Sequence, residues 1–366
     1  MREGSDAARS VFLAGYGTVG RALVAQFRAA APKLLRDRGL DLRLVGLATT
    51  RACLIEAPGF ADPKLEPAAL EAALAAAAEA GGKPALAEAL RESLGAGSVF
   101  VDCTASAEVA ALYPALLGAG VSVVAANKTA NSGSHASWRA LREAALGGGA
   151  RFLYGANVGA GLPVVSTLRD LVVTGDEVLR IEAVLSGTIS FIFNNLSSAR
   201  TFSSLVREAM ARGYAEPDPR IDLSALDAAR KTLILARESG LRAELADVEI
   251  EPILPPGGPS LEESAAPGDF LAGLSAADGP LEARRRAAEA RGRVLRYVAA
   301  IEAGRASLGF REVEPGHPLA GLSGADNLVS FTTARYAEQP LVVRGPGAGA
   351  GVTAAGVLAD IIRAAG

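Results

Sequence analysis

The stretch RSVFLAGYGTVG, residues 9–20, decides the fold of this chain. Its apolar first half predicts a short buried strand, and Gly15, Gly17 and Gly20 follow with the spacing G-x-G-x-x-G. Glycines at these positions permit a tight turn and the close approach of a pyrophosphate, and the next helix offers free N–H groups at its positive end. The alternative is a glycine-rich turn that binds nothing. The predicted dinucleotide-binding loop comprises Gly15, Tyr16, Gly17, Thr18, Val19 and Gly20.

Apolar strands and helical segments alternate after this loop. Strands are predicted at 42–48, 98–104 and 121–127, and an Ala-rich tract at 67–94 is predicted as two helices interrupted at 81–84. Alternation at these lengths is typical of an α/β fold with a doubly wound, Rossmann-type parallel sheet. We assign this nucleotide-binding domain to residues 1–150.

A second domain is predicted in residues 151–339, after the glycines at 147–149. Segments 294–304 and 306–315 have the pattern of antiparallel strands, and a helix is predicted over 222–238. These elements indicate a second α/β domain built on a mixed sheet.

Composition and charge exclude several classes of protein. The 366 residues include 37 basic and 40 acidic side chains, so nothing indicates a nucleic-acid binder. No apolar run is long enough for a membrane span, and MREGSDAARS lacks the apolar core of a secretory signal. Only Cys53 and Cys103 occur, which argues against a disulfide or zinc framework, and Cys103 is interpreted as a small core residue. We expect a cytoplasmic protein with a small-molecule substrate.

The end of the second strand, Ala48-Thr49-Thr50-Arg51, bears on cofactor choice. NAD-selective sites usually carry an acid there that binds the ribose 2′-hydroxyl. Here the next acid is Glu56, whereas Thr49 and Arg51 suit a 2′-phosphate. We therefore expect NADP(H) to be preferred over NAD(H); the alternative is that Arg51 is a solvated loop charge.

Lys128 follows the fourth strand directly, after Asn127. Ligands bind beyond the carboxyl ends of strands in such sheets, so this lysine is predicted to point toward the crevice. The segment 102–106 ends the third strand in the same way. The alternative for Lys128 is a solvated lysine at a strand end.

Asp227 and Lys231 stand four residues apart in a predicted helix, with the acid first. Ile234 and Leu235 continue the same face, so the pair lies over apolar surface. A partly buried lysine beside a carboxylate is a candidate proton donor. The alternative is an ordinary surface ion pair.

The preceding segment, EPDPRID, contains the carboxylates of Glu216, Asp218 and Asp222 and two prolines that hold it extended. An extended loop of this kind can direct carboxylates at a cationic substrate. Alternatively, Asp222 or Ser224 caps the helix that follows.

Taken together, seven motifs resemble the homoserine dehydrogenases over nearly the whole chain. They occur in family order and spacing: GYGTVG, VDCTAS, ANKTAN, YGANVGAGLPVV, VLSGTISFIFN, GYAEPDPRIDLSALDAARK and GAGAGVTAAGV. The likeness is to the dehydrogenase part of aspartate kinase–homoserine dehydrogenase fusions, although the length leaves no room for a kinase or a further regulatory domain. A monofunctional enzyme is therefore expected.

The resemblance implies NAD(P)H-dependent, reversible reduction of L-aspartate 4-semialdehyde to L-homoserine, in threonine, methionine and isoleucine biosynthesis. It also implies a homodimer formed through the second sheet. Two alternatives stay open: a dehydrogenase for a related amino aldehyde, and a non-catalytic NADP-binding regulatory protein.

The resemblance further implies a role for individual residues. Lys231 matches the proton donor, Asp227 its carboxylate neighbour, and Lys128 a lysine near the reacting centre. Glu216 would hold the substrate ammonium. The final helix would rejoin the nucleotide domain, which residues 340–366 would complete. Other matches are Asp222 and Thr188 toward the substrate and Thr104, Ala105 and Gly349 toward the cofactor.

One departure from the family pattern concerns a monovalent cation, Na⁺ or K⁺. In the segment FLY-x-x-x-VGAG the family usually has an acid directly after the aromatic residue, where this chain has Gly155. Val158, Ala160 and Leu162 would still offer backbone carbonyl oxygens, which suit hard cations. We therefore expect a weakened cation site.

Overall fold

The structure is a computed structural model that describes residues 8–81, 85–261 and 267–366. It divides into two compact units: the described residues up to Gly161 together with Gly349–Gly366, and Leu162–Ala348. The bounds proposed from sequence, 150 and 340, fall earlier in the chain. The difference arises because a loop after residue 150 packs on the C-terminal helix: a Cβ added to Gly161 would lie 2.4 Å from the carbonyl oxygen of Val352.

The first unit is built on a doubly wound sheet, as predicted. In the described residues its strands have the order β3-β2-β1-β4-β5-β6. All neighbouring pairs are parallel except β2 and β3, because the tight turn after β2 returns the chain beside it. The order reverses between β1 and β4, where such sheets bind ligands. The strands are β1 (Arg9–Ala14), β2 (Leu42–Ala48), β3 (Cys53–Ile55), β4 (Val99–Asp102), β5 (Ser122–Ala125) and β6 (Phe152–Leu153).

Helices cover this sheet. They are α1 (Thr18–Arg38), α2 (Pro67–Ala80), α3 (Leu86–Ser93), α4 (Ala107–Ala110), α5 (Tyr113–Gly118), α6 (Thr129–Ser132), α7 (His135–Gly148) and the C-terminal α15 (Ala350–Ala365). The predicted interruption at 81–84 lies largely outside the described residues. The segment between β4 and β5 forms two short helices, α4 and α5, and Pro114, which has no N–H to donate, lies in the first turn of the second.

The C-terminal helix belongs to the core of the first unit. Ala354, Val357 and Ile361 are fully buried with Val101 and Val124 of the central strands. Gly356, within this helix, lets the helix backbone lie close to the loop after β6, because a Cβ at Gly356 would come within 2.6 Å of the Ala160 carbonyl oxygen.

The second unit is built on a mixed sheet, again as predicted. In the described residues its strands have the order β12-β11-β7-β9-β10-β8, antiparallel except for β8 beside β10. The expected antiparallel pair is β9 and β10, joined by a tight turn at Ala303 and Gly304, which both have positive φ. The strands are β7 (Val178–Val184), β8 (Val248–Ile250), β9 (Val294–Glu302), β10 (Arg305–Val313), β11 (Asp326–Thr333) and β12 (Leu341–Pro346).

The helices of this unit position its polar residues. They are α8 (Val164–Val173), α9 (Gly187–Asn195), α10 (Phe202–Ala211), α11 (Pro219–Leu223), α12 (Leu226–Glu238), α13 (Pro267–Gly273) and α14 (Asp278–Ala290). The single helix expected over 222–238 is broken at Ala225, whose φ of 58° is left-handed. Among the described residues, no helix has the length and apolar character needed to cross a membrane.

Candidate active site and nucleotide-binding loop

The GYGTVG loop requires glycine for two separate reasons. Gly15 has φ +96°, and a Cβ there would lie 2.8 Å from the carbonyl carbon and oxygen of Cys103. A Cβ at Gly20 would lie 2.0 Å from the carbonyl oxygen of Gly15. Gly17, by contrast, has open space around its missing side chain and precedes α1 without a side-chain cap. The start of α1 is therefore open to an anionic group, as a dinucleotide pyrophosphate requires.

The side chains of this loop divide between core and surface. Tyr16 is 7% exposed and packs in the apolar core, with the Arg21 guanidinium 5.5 Å from its ring centre. Burial, together with the charge of Glu71, raises the pKa of the Tyr16 phenol. Thr18 is exposed and Val19 is partly buried. Any contact of Tyr16 with a cofactor would thus be through its backbone.

In the turn after β2, the hydroxyl of Thr49 is engaged in hydrogen bonds within the turn itself. The Thr49 hydroxyl oxygen accepts hydrogen bonds from the backbone N–H groups of Ala52 (3.0 Å) and Arg51 (3.2 Å). The guanidinium of Arg51 is exposed and makes no hydrogen bond or ion pair with the rest of the described chain. Arg51 therefore presents an available cation beside this turn, whereas the Thr49 hydroxyl is engaged.

The ends of β4 and β5 carry the next predicted residues. The Thr104 methyl group is close enough to Gly15 that a Cβ there would lie 3.0 Å from it, and the exposed Ala105 follows. Lys128 lies partly buried at the start of α6, and its carbonyl oxygen accepts from the Ser132 hydroxyl over 2.9 Å. Burial raises the pKa of the thiol of Cys103, which directly precedes Thr104, to about 12. This agrees with a core role for Cys103 rather than a nucleophilic one.

In the second unit, Lys231 is held by two oxygen atoms. Its ammonium lies 2.8 Å from Oδ2 of Asp227 and donates to the Leu185 carbonyl oxygen, also over 2.8 Å. The lysine side chain is 12% exposed and that of Asp227 is 50% exposed. The pair is therefore not an ordinary solvated one. Sequence spacing indicated Asp227, but Leu185 was missed, because a backbone carbonyl at a strand end has no signature in the sequence.

Three further predicted residues, Thr188, Glu216 and Asp222, are linked by hydrogen bonds in the second unit. The Thr188 hydroxyl lies 2.8 Å from Oδ1 of Asp222 and 2.6 Å from the carbonyl oxygen of Tyr214. Oδ2 of Asp222 accepts from the backbone N–H of Glu216 over 2.9 Å. Asp222 thereby joins α9 to the loop that carries Glu216. The Glu216 carboxylate is exposed and has no side-chain partner in the part of the chain that the structure describes.

The capping alternative for this loop is wrong for Asp222, whereas the Ser224 hydroxyl does accept from the N–H of Leu226, the first residue of α12, over 3.3 Å. Asp218 is the residue that caps α11, and the residue before α12 is Ala225, without a side-chain cap. Asp218 also binds Arg220, which holds the pKa of that carboxyl below its usual value. Asp218 is therefore not available to a cationic substrate, and Glu216 is.

The loop expected to bind a cation contains an unexpected carboxylate. The Gly155 N–H donates to Oδ2 of Asp360, on α15, over 2.7 Å, and Asp360 is 4% exposed and paired with Arg363. Val158 and Ala160 are buried, and Ala160 has φ 56°. Leu162 begins the second unit, and its carbonyl oxygen accepts from the Val164 N–H over 2.8 Å.

Other candidate residues are placed as follows. Gly349 precedes α15 with φ +117°, a backbone conformation that favours glycine. His135 stacks on Trp138, and His317 pairs with Glu182 over 3.1 Å. In residues 8–81, 85–261 and 267–366, no three His, Cys, Asp or Glu side chains are grouped so as to hold a metal ion.

A doubly wound sheet with a G-x-G-x-x-G loop, followed in the chain by a mixed-sheet unit in which a carboxylate holds a mostly buried lysine, defines the class of NAD(P)-dependent α/β oxidoreductases. The sequence model described as "Homoserine dehydrogenase, NAD binding domain" matches residues 15–155, and the one described as "Homoserine dehydrogenase" matches 163–362. The chain belongs to the homoserine dehydrogenase family.

Several proteins are similar over most of the chain. A chloroplastic bifunctional aspartokinase/homoserine dehydrogenase of Zea mays is 42% identical over 97% of this chain, which spans 38% of that protein. A homoserine dehydrogenase of Emericella nidulans is 43% identical over 73% of this chain and 75% of its own length.

Two solved structures have the same fold. A Candida auris protein of unknown function is 33% identical, with a TM-score of 0.83 over 98% of each chain. A hyperthermophilic archaeal homoserine dehydrogenase mutant in complex with NADPH is 25% identical, with a TM-score of 0.74 over 98% of each chain.

Proposed function

We propose that this protein reduces L-aspartate 4-semialdehyde to L-homoserine with NADPH, reversibly. The observation that carries the proposal is the position of Lys231 between Asp227 and Leu185. An ammonium has three N–H donors. Two are used by these partners, so one is left for the oxygen of a substrate.

Chemistry at an aldehyde requires a hydride at carbon and a proton at oxygen. The reduced nicotinamide, when bound, supplies the hydride. Lys231 holds a proton at Nζ and gives it to the developing alkoxide, while Asp227 keeps the ammonium oriented. In the reverse direction the same lysine accepts the proton.

The residues around Asp222 suit an amino acid substrate. The available carboxylate of Glu216 would bind the substrate ammonium, with its backbone held by Asp222. Thr188 and Asp222 would line the pocket. Lys128 would stabilise charge near the reacting centre, a role that stays a prediction from the resemblance.

The GYGTVG loop and the turn after β2 suit NADP(H) rather than NAD(H). The open space at Gly17 and the uncapped start of α1 suit the pyrophosphate, with Thr104, Ala105 and Gly349 as further cofactor contacts. The available guanidinium of Arg51 suits a 2′-phosphate. NADPH is the cofactor in the archaeal mutant structure. We assign cofactor binding to the first unit and catalysis to the second.

The resemblance to the family supports a proposal for the assembly and for the cation site. We propose a homodimer formed through the second sheet, and a weak Na⁺ or K⁺ site at the carbonyls of Val158, Ala160 and Leu162. Cys53 and Cys103 are not joined by a disulfide, which is compatible with the cytoplasm.

The decisive experiment is NADP-linked oxidation of L-homoserine by the purified protein, compared with a panel of other hydroxy amino acids. L-homoserine should give the highest kcat/KM. A higher value for another member would assign the enzyme to a related amino aldehyde. Binding of NADPH with no turnover of any member would instead indicate a non-catalytic NADP-binding protein.

A further inference from the structure

A fully buried carboxylate lies at the end of β4, next to the predicted cofactor residues. Asp102 is 0% exposed. It accepts hydrogen bonds from three groups: the Thr104 N–H on Oδ1 (2.6 Å), and the Tyr113 hydroxyl (2.6 Å) and the Asn127 amide (3.0 Å) on Oδ2. Taking a carboxylate out of water is costly, and only well-formed interactions with its oxygen atoms offset that cost. A buried acid in a strand that could carry an apolar residue therefore calls for an explanation.

The first of these hydrogen bonds shapes the backbone beside the dinucleotide loop. By holding the Thr104 N–H, Asp102 bends the chain as it leaves β4. This bend places Cys103 and Thr104 directly against Gly15, where a Cβ would be only 2.8 Å and 3.0 Å from them. The Thr104 hydroxyl then accepts from the Ser106 N–H over 3.1 Å.

The hydrogen bond from Asn127 involves the residue directly before Lys128. The Asn127 amide nitrogen donates both to Asp102 and to the Ser106 carbonyl oxygen (2.9 Å), and its oxygen accepts from the Thr129 N–H (3.0 Å). Asn127 is 3% exposed. Through Asn127, the residues on both sides of Lys128 are thereby linked by hydrogen bonds to the Asp102 carboxylate.

We propose that Asp102 is a positioning residue, which sets the backbone of Thr104 and of Lys128 for cofactor binding and catalysis. The inference rests on the proposed function, since it takes Thr104 and Lys128 as parts of that site. It differs from a purely structural role, in which Asp102 would only hold α5 to the sheet through Tyr113.

The two roles are separated by Asp102→Asn and the matched control Tyr113→Phe. Asparagine has the same shape but only one acceptor atom, so either Thr104 or Asn127 then faces an N–H donor. Tyr113→Phe removes one hydrogen bond from the same carboxylate and leaves Thr104 and Asn127 in place. Three quantities are measured for each variant: the Tm, the Kd for NADPH from nicotinamide fluorescence, and kcat with L-homoserine.

Asp102→Asn should raise the Kd and lower kcat, each on the order of tenfold, because small displacements of oriented groups are costly. Tyr113→Phe should lower the Tm with Kd and kcat close to wild type. The positioning role is wrong if the two variants have the same loss of Tm and also the same Kd and kcat.

Asn127→Ser removes the amide on the Lys128 side, leaves Thr104 and Tyr113 on the carboxylate, and covers the case in which Asp102→Asn does not fold. It should raise the Kd for NADPH and lower kcat more than Tyr113→Phe does. A folded Asn127→Ser variant with the Kd and kcat of Tyr113→Phe would contradict the proposal. Wild-type protein that binds NADPH but does not oxidise L-homoserine would overturn only the substrate assignment, because the Kd comparison stays valid.

Discussion

The Lys231 ammonium donates to the backbone carbonyl oxygen of Leu185, 46 residues earlier in the chain, over 2.8 Å. Leu185 directly follows β7, so the bond ties α12 to the end of a central strand. Together with Asp227 it determines where the ammonium lies. The lysine is a candidate acid because its position is set by two different elements.

Replacing this lysine tests its role as proton donor. Lys231→Ala should lower kcat roughly 10²–10⁴-fold, the usual effect of losing a general acid. The measurement is steady-state oxidation of L-homoserine. The control is Arg230→Ala, which removes an exposed cation one position earlier on the same helix and should leave kcat unchanged. Turnover of Lys231→Ala near the wild-type rate would refute the assignment.

Removing the carboxylate partner should have a smaller effect. In Asp227→Ala the ammonium still has the Leu185 carbonyl, so we expect kcat to fall on the order of tenfold. The side chain of Asp227 is half exposed, so its attraction for Lys231 is partly screened by water. A loss equal to that of Lys231→Ala would mean that Asp227 takes part in the proton transfer itself.

Two glycines of the GYGTVG loop should respond differently to the same change. Gly20→Ala should destabilise the protein by about 1–3 kcal/mol, because the new methyl group meets the Gly15 carbonyl oxygen. Gly17→Ala should leave the Tm unchanged, since nothing lies within 4 Å of its Cβ.

Gly17→Ala should nevertheless weaken NADPH binding. A methyl group there would push the pyrophosphate away from charge-assisted hydrogen bonds worth about 1.5–3 kcal/mol each. Thermal unfolding and fluorescence titration give the two quantities separately. Unchanged NADPH affinity in Gly17→Ala would show that the pyrophosphate does not approach this residue.

The cofactor preference should depend on Arg51. Arg51→Ala should raise the KM for NADPH roughly ten- to a hundredfold, since a well-made bond between a guanidinium and a phosphate contributes about 1.5–3 kcal/mol. The KM for NADH should hardly change, because the 2′-hydroxyl carries no charge. Equal effects on both cofactors, or none on either, would make Arg51 a solvated loop charge and place the preference elsewhere.

Monovalent cations should affect activity weakly. Gly155 contributes no carboxylate, and the nearby Asp360 is already engaged by the Gly155 N–H and by Arg363. Rates should be compared in Na⁺, K⁺ and a bulky organic cation at constant ionic strength. Strong, saturable activation at low millimolar Na⁺ or K⁺ would show that the carbonyl oxygens suffice.

The features that the sequence by itself determined are those with short-range signatures. The G-x-G-x-x-G spacing predicted the loop, since tight backbone approach admits only glycine at Gly15 and Gly20. Alternating apolar segments predicted both kinds of sheet. Four-residue spacing predicted the Asp227–Lys231 pair, because one helical turn brings such side chains together.

Partners that lie far apart along the chain could be identified only from the fold. The Leu185 carbonyl meets Lys231, the Asp222 carboxylate meets Thr188, and Asp360 meets Gly155. The left-handed Ala225, which breaks the expected helix, is likewise visible only in the fold. The physical reason is that strand pairing and core burial, rather than spacing, bring these groups together, and a backbone carbonyl looks the same at every position of a sequence.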